Sequence, residues 1–69
     1  MRPSLVINYE MDLCTFSEVM GVTQVTAKAL RDILLLDGWR EAHLNQIPEL
    51  DRYVVKAKEW TAHVDNHPG

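Results

Sequence analysis

Two glycines, Gly21 and Gly38, constrain this chain more than any other feature. Each closes a run of helix-compatible residues, and glycine enters the left-handed conformation that ends a helix at little cost. Thr23 follows Gly21 by two residues, where its hydroxyl can cap a second helix. Residues 15–39, TFSEVMGVTQVTAKALRDILLLDGW, therefore read as a short helix, a tight turn and a longer helix. The rest of the 69 residues read as lead-in and support.

Thr15-Phe16-Ser17-Glu18 has the spacing of a capping box, in which the threonine takes an amide of the first turn and the glutamate reaches back. That predicts a helix over 16–20. The second helix is expected over 23–37. At 100° per residue, Ala27, Leu30, Ile33 and Leu34 gather on one face, and Gln24, Lys28, Arg31, Asp32 and Leu35 lie on the other.

Ahead of this unit, residues 5–13 alternate. Ile7, Tyr9, Met11 and Leu13 oppose Asn8, Glu10 and Asp12, the two-residue period of a half-buried strand. Arg2-Pro3 is expected to fray. Residues 39–46 form either a short strand pairing back on the first or a loop. Farther on, Ile47, Leu50, Tyr53, Val54, Ala57, Trp60, Thr61 and Val64 fall within one helical arc, with a mostly polar opposite side. Pro48 suits a first helical turn, and Glu49 and Asp51 suit its positive end. These features predict a helix over 48–64 and a flexible tail over 65–69. The expected fold is mainly α (α+β): two helices about a turn, a short N-terminal strand, at most a small two-stranded sheet, and a C-terminal amphipathic helix closing the core. Residues 1–64 would form one domain.

Composition narrows the function classes. Cys14 is the only cysteine, so no disulfide framework exists, and it reads as a small core residue. A lone thiol and no secretory or membrane-spanning apolar run point to a cytoplasmic protein. The net charge of −3 is weakly unfavourable for a nucleic-acid binder, but six of the seven basic residues lie within 28–58. His63 and His67 stand four apart without converging ligands, so neither a metal nor another cofactor is expected. No glycine-rich phosphate loop, paired carboxylates in an apolar setting or triad suggests an enzyme. Trp39 and Trp60 read as caps on a small core, with interface anchors as the competing reading.

The run Met20-Gly21-Val22-Thr23-Gln24-Val25-Thr26, with Phe16, Met20, Val22, Ala27 and Leu30 apolar, resembles the helix-turn-helix of DNA-binding regulators. Gly38-Trp39 after the second helix also resembles winged-helix members. The resemblance covers roughly residues 13–41. The sequence departs from it at Ser17 and in lacking an evident wing, which places it nearer the small phage-type and excisionase-like versions. The resemblance implies that Thr23, Gln24, Val25, Lys28 and Arg31 face the major groove of double-stranded DNA. Gln24 suits an adenine edge, Val25 a thymine methyl, and Lys28, Arg31, Arg40 and the Thr23 hydroxyl suit phosphates. It further implies a small transcriptional regulator of a phage or mobile element. Leu35 on the outer face, with Val55 and Trp60, suggests a homodimer or another protein partner. The competing reading is an interaction module of the same fold that does not bind DNA.

Overall fold

The computed structural model describes residues 5–66 and is mainly helical. Three α-helices follow one another: α1 (Leu13–Met20), α2 (Gln24–Leu36) and α3 (Leu50–Asn66), with one 3₁₀ turn at Leu44–Gln46 before α3. Both α1 and α3 pack on α2. Among the described residues no helix is long and apolar enough to cross a membrane.

The start of α1 corrects the capping-box expectation. Asp12, not Thr15, is the N-cap, and its Oδ1 accepts the amides of Cys14 at 2.9 Å and Thr15 at 3.3 Å. The Thr15 hydroxyl instead donates to Asp12 Oδ2 at 2.8 Å. A carboxylate offers two charged acceptor oxygens where a hydroxyl offers one neutral oxygen, so Asp12 captures the helix start three residues ahead of the expected one.

The expected N-terminal strand and two-stranded sheet are not formed among the described residues. The side chain of Asn8 accepts the Glu10 amide at 2.9 Å, and the Met11 amide reaches the Asn8 carbonyl at 3.3 Å. A turn therefore interrupts the alternation, because a short amide side chain competes for backbone donors that a ladder would need. What remains is one antiparallel bridge, Val6 with His43. It is flanked by Ile7 N–H to Ala42 O at 2.9 Å, Glu41 N–H to Ile7 O at 2.7 Å and Leu44 N–H to Leu5 O at 2.9 Å. Ile7 is fully buried as expected, whereas Tyr9 is exposed. Residues 39–46 are accordingly a turn-rich connection with a single bridge.

Both interhelical stops are Schellman closures. At Gly21 (φ 69°) the Gly21 amide donates to Glu18 O and the Val22 amide to Ser17 O. At Gly38 (φ 91°) the Gly38 amide donates to Leu35 O and the Trp39 amide to Leu34 O. Each pair satisfies carbonyls that the end of a helix leaves without partners.

The third helix begins at Leu50 rather than at Pro48. Ile47 is extended (φ −91°, ψ 114°), the conformation that a following proline favours. Glu49 then takes φ 56°, so the chain enters the helix only afterwards. Its backbone continues through Asn66, two residues past the expected end at Val64. The ends at Arg2-Pro3 and 67–69 lie outside the described residues.

The core comprises Ile7, Phe16, Ala27, Leu30, Ile33, Leu34, Leu44, Ile47 and Ala57. Fully burying a side chain such as Phe16 or Leu30 contributes about 1.5–3 kcal/mol. The core sits between the three helices and under the 5–7 segment, and it fixes which side of α2 is left to solvent.

Candidate nucleic-acid interface

The exposed start of α2 is built by its neighbours. Thr23 is extended (φ −69°, ψ 162°), and its Oγ1 accepts the Thr26 amide at 3.1 Å. The amides of Gln24 and Val25 lie ahead of the first intrahelical bond, and no acid stands in the first turn. Gln24 and Lys28 are exposed and Val25 is 44% exposed. At 100° per residue these three span an arc of about 100°. The structure thus brings them together on one face.

A chain of hydroxyls holds this first turn to α3. Thr26 Oγ1 lies 2.8 Å from Thr61 Oγ1, both buried. Thr61 donates to the Ala57 carbonyl at 3.0 Å, so the proton between the two threonines comes from Thr26. Thr23 in turn donates to Thr26 Oγ1 at 3.1 Å. Among the described residues every buried hydroxyl is satisfied, and the Thr23 proton points inward rather than toward an incoming phosphate. Thr61 was legible only as part of an apolar arc, since nothing local marks a partner thirty-five residues away.

Arg31 is diverted. Its side chain is 12% exposed and binds Asp32 Oδ1 through both Nε and an Nη at 3.0 Å. It also lies 5.4 Å from the centre of the Tyr9 ring, with a long contact to the Tyr9 carbonyl at 3.5 Å. Arg31 therefore clamps the 8–11 turn onto α2. The N-terminal segment covers a flank of α2 that a helical wheel treats as solvent.

Leu35 is one turn beyond Arg31 and packs partly on the core, which corrects its expected outward placement. Besides Val25, α2 exposes Leu36, at 77%. Val55 and Trp60 are exposed as well, at 55% and 54%. Arg40 is exposed in the turn after Gly38, beyond the end of α2 opposite Gln24. Lys28 and Arg40 have no ion-pair partner among the described residues.

Cys14 is exposed, not in the core. The Glu18 carboxylate, foremost by its charge, raises the thiol above its ordinary value, with Sγ 3.8 Å from Oε1. An exposed thiol held in its neutral form is a poor nucleophile.

Compared with family models, curated proteins and solved structures, the chain matches none.

Proposed function

We propose that α1, the turn at Gly21 and α2 act as a helix-turn-helix that reads duplex DNA in the major groove. The observation that carries this reading is the cluster of Gln24, Val25 and Lys28, exposed together on the first turns of α2 with no acid in the first turn. Gln24 supplies a donor and an acceptor for an adenine edge, and Val25 an apolar contact for a thymine methyl. Lys28, with Arg40 at the far end of the helix, supplies phosphate contacts. Arg31 is left out of this set because Asp32 and Tyr9 engage it. Two copies joined through Val55 and Trp60 would double these few contacts, as regulators of this layout do when they act at paired half-sites.

The test is selection of bound sequences from random duplex DNA at low salt. An enriched motif that Gln24→Ala relaxes at one or two base pairs supports the reading. No enrichment at low salt overturns it. An interaction module that leaves DNA alone is the second reading, and the exposed Leu36 beside Asp32 on the same face favours it.

A further inference from the structure

Away from the first turn of α2, the other end of that helix meets α3 in an aromatic cleft. Trp39, Pro48, Glu49, Arg52, Tyr53 and Lys56 line a hollow of about 190 Å³. That volume accommodates one apolar side chain and little more. The aromatic wall is held rigid by two hydrogen bonds. Trp39 Nε1–H donates to Tyr53 Oη at 3.1 Å, and the Tyr53 hydroxyl donates to Asp37 Oδ2 at 2.8 Å. On α3, Lys56 stands one turn after Arg52, and its ammonium lies 5.8 Å from the centre of the Trp60 ring. Trp60 is half exposed and extends the aromatic surface by a further turn.

The charge at the rim selects among occupants. Arg52 and Lys56 share the rim with Glu49, whose contact with Arg52 is long at 3.5 Å and exposed on both sides, while Asp37 behind the wall is engaged by the Tyr53 hydroxyl. Lys56 has no carboxylate partner among the described residues, only the Trp60 ring. A carboxylate arriving beside the cleft can therefore pair with Lys56 and compete with Glu49 for Arg52. A run of phosphodiesters suits the place less, because Lys56 alone at this rim has no carboxylate partner among the described residues, enough for an acidic side chain or two and too little for repeated phosphates.

We infer that this cleft docks a peptide segment of a partner protein: one apolar or aromatic side chain packs into the hollow against the hydrogen-bonded Trp39–Tyr53 wall, and an adjacent acidic residue pairs with Lys56 and competes for Arg52. The rigid aromatic wall supplies contact area at low entropic cost, and the flanking cations orient the segment. The Trp39–Tyr53 wall adjoins the opposite end of α2 from Gln24, so the inference does not rest on DNA binding.

The test uses the full chain against a displayed library of random twelve-residue peptides, followed by titration of selected synthetic peptides with tryptophan fluorescence as readout. Enriched peptides should share one large apolar residue flanked by Asp or Glu. The exposed substitutions Arg52→Glu and Lys56→Glu together should weaken those peptides about tenfold or more, with the helical circular dichroism unchanged, and should shift selection toward Lys- and Arg-flanked anchors. Tyr53→Phe, which keeps the ring and removes both hydroxyl bonds, should weaken binding less than the charge reversal. No enrichment overturns the inference, as does enrichment indifferent to the double reversal. Concentration-dependent self-association that masks the cleft, or competition for it by single-stranded DNA, would also overturn it in favour of those occupants.

Discussion

Thr23, Thr26 and Thr61 form a directed chain of hydroxyls that ends on the Ala57 carbonyl. The direction sets unequal costs for breaking it. Thr26→Val leaves Thr61 bonded to Ala57 and returns the exposed Thr23 hydroxyl to water, so it should cost about 0.5–1.5 kcal/mol. Thr61→Val strands the buried Thr26 proton and should cost more, about 1–3 kcal/mol. The double valine variant should be no worse than Thr61→Val alone, because both members of the buried pair are then removed. Urea denaturation of the four proteins measures this, and strictly additive losses would contradict the chain.

Asp12 gives a second residue-scale outcome. The Thr15 hydroxyl foremost, then the Thr15 and Cys14 amides, hold its carboxyl below the ordinary aspartate value. A depressed folded pKa stabilises the fold fully above the unfolded value of about 3.9 and loses that contribution as pH falls through the folded value. Asp12→Asn keeps an acceptor oxygen but has nothing to titrate. Thermal melts should show the wild-type chain losing more stability than Asp12→Asn as pH falls from about 5 through the acid range in which the protein still folds. Equal losses would mean that the cap carries no charge-dependent stability.

Among elements, the glycine closures are the best determined. A Cβ at Gly21 or Gly38 meets nothing within 4 Å, so an alanine there encounters only the backbone penalty of positive φ. Each Gly→Ala should cost about 1–2 kcal/mol, and the two should add, which paired chemical denaturation curves can check. These stops were legible because the chemistry is local: a glycine, a preceding helical run, a following cap. The second helix, expected over 23–37, runs over Gln24–Leu36 for the same reason. The N-terminal strand expected from the alternation over 5–13 does not form, because Asn8 and Asp12 each take backbone amides that such a pattern assigns to a ladder. Leu35 was misplaced for a different reason. A helical wheel assumes one buried side, while Tyr9 lying over Arg31 gives α2 a second covered flank. The late start of α3 reflects Glu49 at φ 56°, a conformation nothing in its residue type announces.

At the scale of the whole molecule, charge is distributed by end. The start of α2 offers Gln24, Val25 and Lys28, and its far end adjoins Arg40 and the aromatic cleft with Arg52 and Lys56. Few cations are free to meet phosphates, since Arg31 is clamped to Asp32 and Tyr9. Specific recognition by this chain would rest on base contacts and on doubling by a second copy rather than on a strong phosphate field.

The most direct measurement is the salt dependence of affinity for a selected duplex, compared between the wild-type chain and Lys28→Ala. With Lys28 and Arg40 as the phosphate contacts, the slope of log K against log salt should be about −2 per copy, or about −4 for a dimer. Lys28→Ala should make it shallower by about 1 per copy, while Arg31→Ala lowers stability and leaves the slope of the folded protein unchanged. A slope near zero, or one that Lys28→Ala does not alter, would contradict DNA recognition by the first turns of α2.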